Sequence, residues 1–311
     1  MCYKVNLPAI KAGRIIGGSV YTSLPFNFLG IDEHSSFEES KVVVLPFPYD
    51  STTSYRAGAR EAPIAIINAS RQVELYDEEL EIEIYEKVGI HTFKEIMPDM
   101  RGPEHQVELV RKVFVEVMGA GKFPVMIGGE HSLTIGAVRA VKNFYPDVSV
   151  LQLDAHTDLR KEYESTPYSH ASVMRRIFES DVKIAQVGVR NSSKEEDEFI
   201  KSNHIFSATA RQYIYGYYSV EDIADALSDN VYITIDMDVF DPSEVPAVGT
   251  PEPGGLGWYH ILDILQEVTS RRNVVGFDVV ELAPIPGSPA SDFLAAKLIY
   301  KLIGYCFRKN L

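Results

Sequence analysis

Asp154, His156 and Asp158 lie at alternate positions directly after the apolar segment 148–153, and all three carry side chains that can bind a metal ion. In an extended strand they would point to the same side, where two carboxylates and an imidazole repel one another unless a cation joins them. A straight strand rises about 3.3 Å per residue, so Asp154 and Asp158 would stand about 13 Å apart. Ligands of one hard cation bind at about 2.0–2.2 Å and must converge much more closely. The chain is therefore expected to curl after Leu153 and to place the cluster on a loop at the carboxyl end of a strand.

Acidic or histidine side chains also follow three other apolar segments. They are His131 after a Gly-Gly pair, Asp236 with Asp238, and Glu281. If the strands are parallel, their carboxyl ends share one edge of the sheet, so these side chains are expected to meet the 154–158 cluster. Without Glu281, the set offers two imidazoles and four carboxylates, which suits two octahedral ions that share carboxylate bridges better than one tetrahedral ion. Oxygen-rich ligation without thiolates favours Mn²⁺, with iron, cobalt or nickel as substitutes.

The elements that would position these residues alternate along the chain from residue 40 onward. Strands are predicted at 42–45, 124–127, 148–153, 184–187, 231–235 and 274–277, and helices at 63–70, 103–118, 133–144, 171–178, 193–201, 219–227, 257–268 and 290–307. Ser132 is a candidate N-cap for the helix from 133, whereas the tyrosine-rich segment 203–218 carries no prediction. Strands that alternate with helices of this length predict βαβ units, and hence an α/β fold with a mainly parallel sheet covered on both faces.

Composition narrows the class of protein. No linker or composition shift divides the 311 residues, so a single domain over 1–311 is expected. The net charge of −14 argues against a nucleic-acid partner and is compatible with metal ions or a cationic small molecule. The apolar runs are too short for a membrane span, and no signal peptide is expected. Two cysteines, Cys2 and Cys306, are too few for a disulfide framework and suit a cytoplasmic location.

Three motifs, in this order, resemble the three signatures of the ureohydrolase family, which comprises arginases, agmatinases, formiminoglutamases and relatives. They are Gly-Gly-Glu-His-Ser at 128–132, Asp-Ala-His-Thr-Asp at 154–158 and Thr-Ile-Asp-Met-Asp-Val-Phe-Asp-Pro at 234–242. Further landmarks at 56–63, 251–256 and 279–284 extend the resemblance over most of the chain. The resemblance implies a single three-layer αβα domain around an eight-stranded parallel sheet, two Mn²⁺ per chain, and homotrimers or hexamers.

The resemblance also implies a role for each candidate residue. One ion is assigned to His131, Asp154, Asp158 and Asp236, and the other to Asp154, His156, Asp236 and Asp238, so that Asp154 and Asp236 would bridge the ions. The implied reaction is attack of a metal-bridging hydroxide on a guanidinium carbon, which yields urea and a primary amine. Asp158 would take the proton of this hydroxide and pass it to the departing amine. Glu281 would bind the guanidinium through paired hydrogen bonds, and His170 resembles the family's proton-shuttle histidine, with capping or packing as its alternative role.

The loop 159–170 bears on the substrate. It lacks the Asn-x-His-Gly ending by which arginases bind the amino acid head of arginine, and it is similar to the loop of archaeal and bacterial agmatinases. The resemblance therefore implies hydrolysis of agmatine to putrescine and urea, a step of polyamine biosynthesis. Glu162 and Glu164 are candidates for attracting the cationic tail of the substrate, with a role as solvated surface residues as the alternative.

Several alternatives stay open at this point. The substrate could be aminopropylagmatine, arginine, guanidinobutyrate or formiminoglutamate. The chain could also be an inactive metal-binding scaffold, or a single-zinc hydrolase of the deacetylase type, which shares the fold type. The number of metal ions per chain separates the last alternative from a ureohydrolase.

Overall fold

The computed structural model describes residues 15–16, 19–20, 25–32 and 35–310. Cys2 and the start of the predicted 1–311 domain lie outside these residues. The strands are β1 (Ile15–Ile16), β2 (Ser19–Val20), β3 (Val42–Pro46), β4 (Tyr76–Asp77), β5 (Ile82–Glu83), β6 (Ile90–Thr92), β7 (Phe123–Ile127), β8 (Ser149–Leu153), β9 (Lys183–Val189), β10 (Phe206–Thr209), β11 (Asn230–Asp236) and β12 (Asn273–Val280). The helices are α1 (Ala62–Ser70), α2 (Ile84–Val88), α3 (Pro103–Gly119), α4 (Thr134–Phe144), α5 (Val173–Phe178), α6 (Lys194–Ser202), α7 (Ala210–Ile214), α8 (Val220–Asp225), α9 (Trp258–Arg271) and α10 (Ala290–Phe307).

Eight of the strands form one parallel sheet in the order β10-β9-β8-β11-β12-β7-β3-β6. Two short antiparallel pairs, β1 with β2 and β4 with β5, lie apart from it. The prediction of an α/β fold with an eight-stranded parallel sheet is confirmed. The four strands whose carboxyl ends carry the candidate residues, β7, β8, β11 and β12, are consecutive in the sheet order. The sheet therefore gathers the candidate residues along one stretch of one edge.

Helices cover both faces of the sheet, as the strand sequences require. In β3, Val42 and Val44 belong to the hydrophobic cluster that contains α1, α9 and α10, whereas Val43 and Leu45 belong to the cluster of α3, α4 and α5. Successive side chains of a strand point to opposite faces, so a run of apolar residues must be covered on both sides. This arrangement is the expected three-layer αβα domain.

Three details of the sequence prediction were wrong or incomplete, and one is that the short helices α2 and α7 were not predicted. Ser132 does not cap a helix, because a 3₁₀ turn over His131–Leu133 precedes α4 and the Ser132 hydroxyl donates to the Glu130 carboxylate instead. The edge strands β6 and β10 were not predicted; β6 has three residues, and β10 has four, of which only Ala208 is fully buried. Among the described residues, no helix is long and apolar enough to cross a membrane.

Candidate metal centre

The His131 imidazole lies at the centre of a first group of carboxylates. Its Nδ1 atom is 3.1 Å from Asp154 Oδ2, 2.9 Å from Asp158 Oδ2 and 3.5 Å from Asp236 Oδ2. The residue is only 1% exposed, yet Nδ1 has no hydrogen-bond partner within the described part of the chain. Buried polar atoms are nearly always satisfied. A buried nitrogen without a hydrogen bond that faces three carboxylates therefore fits a metal ligand.

A second group adjoins the first. His156 Nδ1 is 2.9 Å from Asp238 Oδ2 and 3.6 Å from Asp154 Oδ1. Ligand atoms of Asp154, His156 and Asp238 lie within 4.8 Å of one another, as do those of His131, Asp154 and Asp236. Asp154 thus belongs to both groups and turns one carboxylate oxygen toward each. This arrangement fits two cations that share the Asp154 carboxylate.

Asp236 has one contact with each of the two groups. Its Oδ2 atom faces His131, while its Oδ1 atom accepts the backbone N–H of Asp238 at 2.9 Å. This hydrogen bond closes the turn that follows β11 and brings Asp238 toward His156. Bridging by Asp236 stays a prediction.

The chain curls after β8, as the spacing of the cluster requires. β8 ends at Leu153, and Asp158 has a left-handed backbone with φ of 52°. The carboxylates of Asp154 and Asp158 consequently reach the same His131 nitrogen. Left-handed backbone at a residue other than glycine is costly and concentrates at functional sites.

The buried acidic side chains at the carboxyl edge of the sheet require positive charge nearby. Burial, together with the nearby Asp154 carboxylate, raises the pKa of Asp158 to about 7. Burial likewise raises the pKa of Glu281 to about 8. Carboxylates crowded away from water resist ionisation unless a cation compensates them. Donors of this chemistry, nitrogen and carboxylate oxygen without thiolate, fit divalent cations that accept such ligands, Mn²⁺ among them.

A buried network behind His131, which sequence reasoning missed, sets the tautomer of its imidazole. His131 Nε2 is 2.9 Å from the Thr234 hydroxyl, which donates to Asp278 Oδ1 at 2.6 Å. Asp278 also accepts hydrogen bonds from Tyr232 and Thr134. Since the Thr234 proton is directed to Asp278, the Thr234 oxygen accepts from Nε2–H, and Nδ1 is the nitrogen that a metal ion would bind. Polar side chains within apolar strands are the sequence signal that indicates such a network.

Glu281 lies at the same edge, directly after β12. Its Oε1 atom accepts the backbone N–H of His131 at 2.7 Å, and its own N–H donates to Gly129 O at 2.8 Å. The residue is 7% exposed. The structure therefore places this carboxylate beside the first metal group, as a guanidinium-binding role requires.

His170 also lies close to Glu281. Its Nδ1 atom is 3.8 Å from Glu281 Oε1, and its ring packs edge-on against Tyr163. Burial lowers the pKa of the imidazole to about 4, so it is neutral near pH 7. The Ser169 hydroxyl, and not His170, accepts the cap hydrogen bond of the 3₁₀ turn over His170–Ser172. A capping role for His170 therefore has no support.

Glu162 and Glu164 lie exposed on the loop that leads to His170. Neither makes an ion pair with a cationic side chain among the residues that the structure describes. The loop places them at the surface, outside the buried edge, and their attraction of a substrate tail stays a prediction.

Comparison with known proteins decides the family. Residues 40–304 match the arginase family. The chain belongs to this family. The family resemblance carried by the three motifs is thus confirmed, and the arginase-family chain is an enzyme of the ureohydrolase type, which hydrolyses guanidino carbon–nitrogen bonds.

The similar proteins and solved structures show which members of this family the chain resembles. The arginase-family chain is 40% identical over 291 residues to the N(1)-aminopropylagmatine ureohydrolase of Synechocystis sp., covering 92% of this chain and 95% of the relative. It is 35% identical over 277 residues to the agmatinase of Pyrococcus horikoshii, covering 87% and 94%. The fold matches the agmatine ureohydrolase of Thermoplasma volcanium with a TM-score of 0.82 and 33% identity, over 92% of this chain and 96% of that one. Agmatinase-type ureohydrolases are therefore what this chain is similar to.

Proposed function

We propose that this chain is a binuclear-metal ureohydrolase that releases urea from agmatine-type amines. The observation that carries the proposal is Asp154, whose two carboxylate oxygens face two separate groups of metal-binding side chains. The ions would be held by His131, Asp154, His156, Asp158, Asp236 and Asp238. Two Mn²⁺ per chain are proposed, because the donors are oxygen-rich and contain no thiolate.

The relatives favour one substrate within this class. The relative named N(1)-aminopropylagmatine ureohydrolase is 40% identical, and the relative named agmatinase is 35% identical. We therefore propose N1-aminopropylagmatine as the first candidate substrate and agmatine as the second. Both are guanidines with a cationic tail and no carboxylate, in keeping with a loop 159–170 that lacks the arginase ending.

The metal ions would supply a nucleophile from water at neutral pH and stabilise developing negative charge. The Glu281 carboxylate would accept hydrogen bonds from the guanidinium and orient its carbon toward the metal edge. The metal edge is the stretch of the sheet edge that carries His131, Asp154, His156, Asp158, Asp236 and Asp238. Asp158, whose carboxylate lies 2.9 Å from the His131 ligand atom, is placed to accept the proton that water gives up and to release it again. The departing nitrogen takes this proton as its bond to carbon breaks, so that urea and a primary amine are formed.

His170 would exchange protons between this edge and solvent. Its Nδ1 atom lies 3.8 Å from the Glu281 carboxylate and its side chain is 18% exposed, so the imidazole would contact both the buried edge and solvent. Assembly into homotrimers or hexamers, a cytoplasmic location and a role in polyamine and putrescine biosynthesis remain further parts of the proposal.

A urea-release assay tests the function. The Mn²⁺-loaded enzyme is given N1-aminopropylagmatine, agmatine, arginine, guanidinobutyrate and formiminoglutamate in parallel, and kcat/KM is measured for each. The proposal expects the two agmatine-type amines to be the best substrates. A higher kcat/KM for arginine would contradict the substrate class, and turnover of none of the five would support an inactive scaffold.

A further inference from the structure

We propose that Thr52 is a positioning residue for His170, because it ties the backbone of this histidine to the buried carboxylate of Glu130. The inference rests on the proposed function in one respect, the role of His170 in proton transfer. It gives a role to two further residues, Thr52 and Glu130.

The Thr52 hydroxyl forms a bridge with a defined direction. It donates to Glu130 Oε1 at 2.8 Å, and the Thr52 backbone N–H donates to Glu130 Oε2 at 2.6 Å. Since the hydroxyl proton is directed to Glu130, the oxygen lone pairs are available on the other side. There the oxygen accepts the backbone N–H of His170 at 2.9 Å. One hydroxyl thus joins segments that are 78 and 118 residues away in the sequence.

Glu130 is a firm anchor for this bridge. It is completely buried, and the Ser132 hydroxyl gives it a third donor. Its backbone N–H donates to Tyr49 O at 2.8 Å. Gly129 allows this approach, because a Cβ atom at that position would stand only 1.9 Å from Tyr49 O. Glu130 also directly precedes His131, so the bridge begins at the metal edge itself.

The His170 imidazole depends on such an anchor. Its Nε2 atom is buried and has no hydrogen-bond partner within the described residues. Its Nδ1 atom is 3.8 Å from Glu281, beyond hydrogen-bond distance. The described side chains therefore hold the ring by packing alone, and its distance from the Glu281 carboxylate is set by the backbone that Thr52 fixes.

Thr52→Val tests the inference, because it keeps the shape of the side chain and removes the hydroxyl. We expect kcat to fall roughly tenfold to hundredfold, as small misplacements of a reacting group do, while KM changes by less than about threefold. Thr52→Ser keeps the hydroxyl and is expected to restore kcat to within about threefold of wild type. Metal content should stay unchanged in both variants. Thr53→Val is the matched control, since no hydrogen bond of the Thr53 side chain is present within the described chain, and it should behave as wild type.

A second measurement does not depend on catalysis. Diethyl pyrocarbonate modifies neutral imidazoles, and mass spectrometry of the His170 peptide gives the modification rate. We expect a faster rate in Thr52→Val than in wild type, Thr52→Ser and Thr53→Val, because the loop is released. Thr52→Ala takes the place of Thr52→Val if the latter does not fold.

Different outcomes would refute the role of Thr52 and the proposed function. Wild-type kcat and wild-type modification rate in Thr52→Val would overturn the inference, as would equal defects in the Val and Ser variants. Loss of metal in Thr52→Val would also overturn it, because Thr52 would then support the metal edge and not His170 alone. Absence of urea release by wild type would refute the proposed function, while the modification rates would still decide whether Thr52 holds His170.

Discussion

The backbone amide of His131 donates a hydrogen bond of 2.7 Å to the Glu281 carboxylate, across 150 residues of sequence. This bond fixes the candidate guanidinium-binding group against the first candidate metal ligand. Glu281 has a left-handed backbone with φ of 63°, and Asp158 has φ of 52°. Such conformations cost about 1–3 kcal/mol each and persist where the surroundings enforce them. The geometry between metal edge and substrate is therefore built into the backbone.

Glu281→Gln should separate substrate binding from metal binding. The amide oxygen can still accept the His131 N–H, so metal content and thermal stability should remain near wild type. Loss of the charge that pairs with the guanidinium should lower kcat/KM by about a hundredfold or more. Steady-state kinetics and elemental analysis of the same preparation check both expectations. Loss of metal together with activity would show that Glu281 supports the metal edge and has no separate substrate role.

Glu162→Gln should have a small effect by comparison. The side chain is exposed on its loop, and water and salt screen exposed charges. We expect kcat/KM for N1-aminopropylagmatine to change by less than about threefold. A tenfold loss with this substrate, and none with guanidinobutyrate, would instead identify Glu162 as the group that binds the cationic tail.

Asp154→Asn and Asp238→Asn should differ in metal content. Asp154 serves both groups, so its variant should retain less than one ion per chain after removal of free metal. Asp238 belongs only to the second group, so its variant should retain about one ion, held by the His131 group. Elemental analysis of desalted protein measures the number of metal ions per chain. Asp263 is exposed, so Asp263→Asn serves as a control that should keep two ions. Equal metal content in the Asp154 and Asp238 variants would contradict the sharing of Asp154.

Thr234→Val should weaken the first metal site without touching a metal ligand. The hydroxyl accepts a hydrogen bond from His131 Nε2–H and donates one to Asp278, which holds the imidazole in the tautomer that binds metal. Removal of such a partner typically lowers metal affinity about 10–100-fold. Competition with a chelator measures the affinity, and Thr234→Ser should keep it. An affinity within twofold of wild type in Thr234→Val would show that the tautomer is set by other groups.

Lys301→Met should destabilise the fold. Lys301 lies 2.9 Å from Asp77 and 3.0 Å from Glu79, and its side chain is 3% exposed. Breaking a buried pair by removing one partner costs about 3–5 kcal/mol, here because Asp77 stays buried without its cation. Urea unfolding measures the loss of free energy of unfolding. A variant within about 1 kcal/mol of wild type would show that Asp77 finds another partner or becomes protonated.

The difference in free energy of unfolding between wild type and Lys301→Met depends on pH in a defined direction. Burial alone would lower the pKa of Lys301, but the hydrogen-bonded carboxylates of Asp77 and Glu79 raise it above its ordinary value. The pair therefore stabilises the fold fully below the unfolded pKa of about 10.4 and loses its contribution as the pH rises through the higher folded pKa. The gap between wild type and Lys301→Met should stay constant from about pH 7 to about pH 9 and narrow above about pH 10.5.

The position of each site residue in the fold determines whether its role could be predicted from the sequence. The metal-binding candidates directly follow apolar strands, so a parallel sheet alone was enough to bring His131, Asp154 and Asp238 together. Asp278 lies inside a strand, and Thr52 lies on a loop without periodicity. Their roles depend on contacts with Thr134 and Glu130, which are 144 and 78 residues away. A polar residue within an apolar strand indicates a buried network, but the distant partners of that residue have no local pattern.

The fold was predicted to a similar extent. The strands in the interior of the sheet are mostly apolar because both faces are covered, and all of them were found. The edge strands β6 and β10 are short and less completely buried, so their sequences show neither a long apolar run nor a clear alternation. Prediction therefore succeeded where burial on two sides constrains the sequence and failed at the margins of the sheet.

The most direct test of the account is a metal titration of the metal-free protein, followed by urea release from N1-aminopropylagmatine. Mn²⁺ is added in known equivalents per chain, and the initial rate is recorded at each point. The two groups that share Asp154 predict that the rate reaches its plateau at two equivalents. A plateau at one equivalent, as for a single-metal hydrolase, or no urea at any equivalent, would contradict the account.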